Sequence, residues 1–404
     1  MNQRASKLTL IFDPGTSLTK ALYKSGRKGA LKYLTMDSQL HPVGVERFAR
    51  FNKTSDLGKP EDNAWLQTNN SDCFLVGRLA RESRASTSIK LLKYESMVPK
   101  ILAVIGAIAL KEKLSGFIKL ELAILLPYGE FEDRGVLEQE LERSLSKFKF
   151  QGSEYKVELQ RSGFFPEGFG IFSSRAQNNS PELIQGETSA ILMFGYRNTS
   201  LLLFKNGSFS LEESGSTELG FYNFSDLLIQ QASGLTRDAI QSAIYTGVER
   251  VINQGLGEDK SVTKIAVGEL VRVRDPRRVD VEKRRLRKAV AYARKEYWQL
   301  LKDWLDEVLP GQRHLDLLIY TGGTSGFFEE ELKGYLSKKY SDIGVGSTDE
   351  MEQELLSVLG LSDLALEKFE QEQLPLRFAD AWGIFKRFAK FNPASKTVAQ
   401  VSQA

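Results

Sequence analysis

Cysteine and histidine are almost missing from the 404-residue sequence, which has one Cys, Cys73, and two His, His41 and His314. One cysteine rules out an internal disulfide and a cysteine-rich zinc site, and fits a reducing compartment. With two histidines, a His-rich metal site or a His relay has little to be built from, and both read as structural or surface residues. A surplus of one charge is also missing. Lys plus Arg number 55 and Asp plus Glu 52, so the net charge of +3 gives no electrostatic basis for direct nucleic-acid binding. Long apolar runs are absent as well. Leu8–Phe12 is too short for the core of a signal peptide, and Ile101–Leu110 falls far short of a membrane span. These absences imply a cytoplasmic protein, enzyme or scaffold, with no membrane contact.

What is present is ordinary globular material. The chain is 41% hydrophobic and 26% charged, enough for a sizeable core, and at roughly 150 residues per domain its length favours two or three domains. Leu8–Phe12 is β-prone, Asp13-Pro14-Gly15-Thr16-Ser17 is turn chemistry, and Leu18–Tyr23 resumes an alternating pattern, predicting a hairpin. From Asp37 to about Glu95 the chain is polar and irregular, with one strand-like island at Cys73–Val76, and reads as a small inserted subdomain. Cys73 in that island reads as a buried small hydrophobe. Ile101–Lys113 predicts a buried helix and Leu120–Leu126 a buried strand. Phe131–Lys147 predicts an amphipathic helix whose apolar stripe is Val136, Leu137, Leu141 and Leu145.

A second hairpin is expected from Ser189–Phe194, a turn at Gly195-Tyr196-Arg197-Asn198-Thr199, and Leu201–Phe204, with another tight turn at Asn206-Gly207. The strand-turn-strand unit thus occurs in both halves, which points to an internal duplication. A long charged helix is expected over Val279–Leu309, with Trp298 and Trp304 packing. The basic stretch Arg272–Arg287, interrupted by Asp275, Asp280 and Glu282, reads as its solvated start. Leu315–Tyr320 predicts a strand, Gly322-Gly323-Thr324 a turn, and Phe328–Lys339 a helix. The polar residues after Phe391 read as a disordered tail.

The first turn has the chemistry of a phosphate loop. Such a loop needs a glycine where backbone approaches oxygen, short hydroxyls, free N–H groups and a cation; Gly15, Thr16, Ser17 and Lys20 supply these. Asp13 cannot contact phosphate favourably and suits a water-mediated hold on Mg2+. A surface hairpin with a polar turn accounts for the same residues. A strand rather than a helix follows the turn, and no G-x-x-x-x-G-K-[ST] occurs, so neither the Rossmann nor the Walker arrangement applies.

Four motifs, in order, carry a resemblance. Asp13-x-Gly15-Thr16-x-x-x-Lys20 resembles the first phosphate motif of the actin, Hsp70 and sugar-kinase superfamily, and Gly195-Tyr196-Arg197-Asn198-Thr199 its second phosphate hairpin. Gly322-Gly323-Thr324-Ser325-Gly326-Phe327 is similar to the adenosine motif, and Arg377-Phe378-Ala379-Asp380-Ala381-Trp382-Gly383 to the terminal connecting helix. Phe165-Pro166-Glu167-Gly168 resembles the Pro-Glu strand end of bacterial actin-like ATPases of the plasmid-segregating ParM type.

The resemblance implies an α/β, actin-like fold: two duplicated RNase H-like domains around a nucleotide cleft, with the small subdomain inserted. Domain I would be 1–184, with the insertion at about 37–95, completed by 345–390; domain II would be 185–344, and 391–404 the tail. It implies ATP and Mg2+ as cofactors. Glu167 would orient the attacking water and Asp13 would hold Mg2+ through water. The β- and γ-phosphates would meet Lys20 and the turns Gly15, Thr16, Ser17 and Gly195, Tyr196, Arg197, Asn198. Adenosine would meet Gly322 and Gly323, with Thr324 and Phe327 as side-chain contacts. One departure is plain: the second hairpin of most relatives reads Asp-x-Gly, and here Met193 stands at the Asp position. A thioether cannot order Mg2+-bound water. Met193 is expected in the strand's core, with Arg197 or Asn198 contacting phosphate instead. The implied function is an ATP-switched homopolymeric filament that moves plasmid DNA through a separate DNA-binding adaptor. A polymerising scaffold with weak hydrolysis, and a small-molecule kinase of the same superfamily, stay open.

Overall fold

The computed structural model describes residues 5–26, 28–54, 58–83, 96–253 and 264–390. The expected tail at 391–404 and the last part of the expected insertion, residues 84–95, lie outside the described residues. The chain divides into two compact units: Met1–Pro181 with Glu350–Gly360 and Phe378–Ala404, and Glu182–Asp349 with Leu361–Arg377.

In unit 1, β1 (Ser6–Asp13), β2 (Leu18–Ser25) and β3 (Leu31–Asp37) form an antiparallel meander. A small lobe follows, made of β4 (Leu40–Val43), α1 (Val45–Thr54), β5 (Ala64–Gln67), β6 (Cys73–Val76) and α2 (Arg78–Glu82). Its own core gathers Phe48, Trp65, Cys73, Leu75 and Ala80, so Cys73 is the buried hydrophobe expected. The chain continues through α3 (Met97–Lys111), β7 (Phe117–Leu126), a 3-10 turn at Tyr128–Asp133, α4 (Arg134–Leu145), β8 (Phe148–Phe150), β9 (Ser153–Pro166) and α5 (Phe169–Asn178). α3 is apolar all round, so it is buried nearly throughout and lies under the sheet. Leu10, Phe12, Leu120, Leu122 and Ile124 meet Ile101 and Ile105 there. The 14-residue β9 serves two sheets, pairing antiparallel with β8 at its start and parallel with β7 further on. The nine strands run β3-β2-β1-β7-β9-β8-β5-β6-β4.

One sequence expectation needs correction in α4. Leu137, Leu141 and Leu145 face the core at spacing four, but Val136 is 60% exposed. Adjacent residues of a helix are 100° apart, and the stripe is narrow enough to leave Val136 outside it.

After the short helix α6 (Pro181–Gly186), unit 2 repeats the plan. It contains β10 (Thr188–Phe194), β11 (Thr199–Lys205), β12 (Ser208–Thr217), α7 (Phe221–Gln231), α8 (Arg237–Asn253), α9 (Pro276–Val308), β13 (Leu317–Thr321), α10 (Glu329–Lys339) and β14 (Gly344–Gly346). Asn206 and Gly207, at φ of 53° and 77°, make the left-handed pair that closes the β11–β12 hairpin. α9 starts where Asp275 accepts the Arg277 N–H, with Pro276 at its first position. Trp298 and Trp304 pack partly buried against the core, as expected. α11 (Asp349–Leu359), α12 (Asp363–Gln371) and α13 (Leu374–Lys390) complete the chain.

The sheet of unit 2 runs β12-β11-β10-β13-β14. Its two hairpin pairings are antiparallel and its two crossover pairings parallel, the same pattern as β3-β2-β1-β7-β9. The duplication read from two turns is therefore present in the whole strand order.

Candidate functional site

Asp13 ends β1 and Lys20 is the third residue of its partner strand β2, and the hairpin register places them opposite each other. Their side chains form an ion pair at 2.5 Å, each about nine-tenths buried. Gly15 lies tight against this turn, since a Cβ there would come within 2.5 Å of the Leu18 carbonyl. Ser38 donates its hydroxyl to the Thr16 carbonyl and braces the turn from behind. The Thr16 and Thr19 hydroxyls are buried with no hydrogen-bond partner among the described residues. A polar atom shielded from water and left unsatisfied is costly, and a ligand oxygen at the turn would relieve Thr16.

Glu167 follows the last residue of β9, and its N–H extends the ladder to the Leu126 carbonyl at 2.7 Å. Gly168 then turns the chain at φ 98° into α5. The Gly168 and Gly170 N–H groups, which α5 itself leaves unsatisfied, donate to the two carboxylate oxygens of Asp380 at 2.6 and 2.7 Å. Asp380 is 4% exposed. Burial pushes its carboxyl up to about 7, the charges of Asp13 and Glu167 push the same way, and the two N–H groups oppose them. Unit 1 thus brings Asp13, Lys20, Glu167 and Asp380 into one electrostatic neighbourhood.

Asp380 was no site candidate in the sequence. Its signals there were its place in the Arg377–Gly383 motif and its position as an acidic residue between alanines in the otherwise apolar run Phe378–Gly383. Backbone contact explains its small neighbours: a Cβ on Gly170 would be 2.0 Å from the Asp380 carbonyl, and one on Gly383 would be 1.9 Å from the Gly170 carbonyl.

In unit 2 the β10–β11 turn is closed by Gly195 N–H donating to the Asn198 carbonyl at 2.9 Å. The Gly195 and Tyr196 carbonyls accept from the first N–H groups of α7, those of Phe221 and Tyr222. The Thr324 hydroxyl donates to the Gly195 carbonyl at 2.8 Å, and the Thr324 N–H to the Phe194 carbonyl at 3.2 Å. The expected phosphate hairpin and the expected adenosine turn are therefore joined by hydrogen bonds. Asn198 Nδ2 donates to Ser216 at 3.3 Å, and Arg197 lies 3.9 Å from Glu218. Gly322 has φ 100° and lies on the Phe194 backbone, whereas Gly323 has open space around it.

Two expectations in this region change. Phe327 is 2% exposed, packed among Phe221, Phe224 and Phe328, so its ring is core and cannot serve as a ligand contact. Met193 is half-buried and not part of the core. Ala190, Leu192 and Phe194 take the core face of β10, and strand alternation sends Met193 to the other.

Among the described residues no cluster of three or more His, Cys, Asp or Glu could cage a metal. Mg2+ keeps most of its waters and takes one or two carboxylates, and the chemistry of Asp13 fits such an outer role. The unpartnered Thr16 hydroxyl and the Lys20 ammonium fit a phosphate-bearing nucleotide.

No protein-family model and no curated protein sequence matches the chain. Solved structures do. A 15-stranded ParM filament from Clostridium botulinum is 16% identical over 95% of this chain and 99% of its own, with a TM-score of 0.57. Bacillus thuringiensis ParM with AMPPNP is 15% identical over 94% and 99%, at 0.54. The archaeal actin homolog Ta0583 is 14% identical over 95% and 100%, at 0.51. No helix among the described residues is long and apolar enough to cross a membrane. The strand order repeated in both units and these full-length likenesses establish that the chain has the actin-like fold of the ParM type.

Proposed function

We propose that the chain is a cytoplasmic, nucleotide-dependent actin-like ATPase that assembles with itself into filaments and serves plasmid or DNA segregation through a separate DNA-binding adaptor. The observation that carries the ATPase reading is in unit 1. A tight turn with a shielded, unpartnered Thr16 hydroxyl and a Lys20 ammonium lies in the same electrostatic neighbourhood as Glu167, the carboxylate after β9. The filament reading is supported by the fold, which it shares with a ParM solved as a filament.

The residues divide the work by charge and reach. In unit 1, Lys20, Gly15, Thr16 and Ser17 are proposed phosphate contacts; in unit 2, Gly195, Tyr196, Arg197 and Asn198 are given the same proposed role. Gly322, Gly323 and the backbone at Thr324 take the adenosine. Glu167 orients a water for in-line attack on the γ-phosphorus and accepts its proton as the bond forms, a role that depends on positioning. Asp13 holds water around Mg2+, which when bound neutralises charge on the phosphates. With Met193 in place of a second carboxylate, Asp13 would be the one carboxylate of the two hairpins able to hold Mg2+ through water, and slow hydrolysis is the expected consequence.

High-speed pelleting with ATP, ADP and AMPPNP, with phosphate release measured in parallel, tests this. Pelleting with ATP and AMPPNP together with phosphate release supports the reading. Pelleting without phosphate release identifies a scaffold, and no pelleting with any nucleotide moves the assignment to a small-molecule kinase.

A further inference from the structure

The 33-residue helix α9 carries its charge the wrong way round for its own stability. A helix has a positive N-terminal end and a negative C-terminal end, so acidic residues favour the first turn and basic ones the last. α9 has no acidic residue in its first turn and no basic one in its last. Its exposed N-terminal half holds Arg277, Arg278, Arg284, Arg285, Arg287 and Lys288 against Asp280, whereas its exposed C-terminal half holds Glu296, Asp303, Asp306 and Glu307 against Lys295. No ion pair among the described residues involves Arg278, Arg284, Arg285, Arg287 or Lys288, whereas Arg277 pairs with Asp275 and Asp306 with Lys339. The inner stripe of the helix, Leu286, Val290, Ala293, Tyr297, Leu301 and Leu305, is fully used by the core. On the outer side Val281, Tyr292 and Leu300 are 57%, 49% and 48% exposed.

We propose that this outer face binds the same face of a second copy of the chain, the two α9 helices running antiparallel about a two-fold axis at Tyr292. A two-fold contact must be self-complementary, and a helix that is basic at one end and acidic at the other becomes so when its partner is reversed. With Tyr292 opposite Tyr292, Arg277 lies opposite Glu307, Arg278 opposite Asp306 and Lys288 opposite Glu296, each pairing made twice. Single exposed ion pairs are weak, and the repeated set together with Tyr292 in the middle is what gives the contact its register. A nucleic acid or an acidic partner would match the basic half and be repelled by the acidic half, which makes the second copy the favoured occupant. The contact requires no nucleotide, so it stands or falls apart from the ATPase reading.

The test is sedimentation velocity of the nucleotide-free full chain at low and high salt, with two charge-reversed variants. One carries R277E and K288E; the other carries E296K and E307K. The wild type is expected to form a salt-sensitive dimer. Each variant alone is expected to weaken dimerisation at least tenfold, and an equimolar mixture to restore it, because reversed halves again face opposite charge. Tyr292→Cys gives a second readout, a disulfide-linked dimer under oxidation. A wild type that stays monomeric at all concentrations overturns the proposal, as does a mixture that stays as weak as its components. A duplex DNA bound by the wild type and lost only in the first variant, with no dimer, overturns it in favour of nucleic acid.

Discussion

Asp380 accepts a hydrogen bond at 2.6 Å from the Gly168 N–H, 212 residues earlier in the chain, and so fixes the backbone immediately after Glu167. The acid bears on the proposed hydrolysis through this turn and through its charge coupling to Glu167, and its buried carboxyl is held up to about 7. A pKa raised in the folded state above its ordinary 3.8 stabilises most where the acid is protonated in both states. That contribution is lost as pH rises from about 4 to about 7 and is flat above. Urea unfolding between pH 4.5 and 8 is expected to show the decline, and Asp380→Asn to flatten it. An equal slope in both proteins would remove Asp380 as its source.

Glu167→Gln keeps size and hydrogen bonding but removes the proton acceptor. Phosphate release is expected to fall about 10²-fold, while pelleting with AMPPNP is unchanged. Loss of both would place Glu167 in assembly rather than in chemistry.

Met193→Asp tests the departure in the second hairpin. The side chain is half-buried on the face away from the core, so a carboxylate is tolerated there. Phosphate release is expected to rise several-fold and its Mg2+ requirement to tighten, with thermal stability nearly the same. An unchanged rate would show that the position has no bearing on the metal.

Gly322→Ala and Gly323→Ala make a matched pair. A Cβ on Gly322 would lie 2.4 Å from the Phe194 carbonyl at a φ of 100°, while one on Gly323 meets nothing within 4 Å. The first is expected to lower stability by about 2–4 kcal/mol and the second to leave it within about 0.5 kcal/mol, measured by chemical denaturation.

In α4, Leu141→Ala is expected to cost about 2–5 kcal/mol, and Val136→Ala within about 0.5 kcal/mol. The contrast reads the helix's rotational phase directly, since Leu141 is 1% and Val136 60% exposed.

The elements that could be read from the sequence are those whose signal is local. Leu8–Phe12 beside Asp13-Pro14-Gly15, and Ser189–Phe194 beside Gly195–Thr199, announce their hairpins within about ten residues, and both form. The parallel pairings of β1 with β7 and β10 with β13 join residues more than a hundred positions apart, and a turn in one strand says nothing of the other. Phe327 and Met193 fail for a related reason. A motif places a residue along the chain, but which way its side chain points depends on the aromatic cluster around Phe224 and on the pleat of β10. Asp380 was read as part of a helix motif but its role at the turn was not, because its partners, Gly168 and Gly170, lie on a helix start that no pattern near residue 380 identifies.

The bond between Asp380 and Gly168 also sets an order of events during synthesis. Residues 1–178 already contain β1 to β9 and α5, yet the turn after Glu167 lacks its anchor until residue 380 has been added. By then every residue of unit 2 has been translated. A nascent chain can fold most of unit 1 early, but the backbone beside Glu167 receives its anchor last, so a polypeptide that stops short of residue 380 leaves the Gly168 and Gly170 N–H groups without that acceptor.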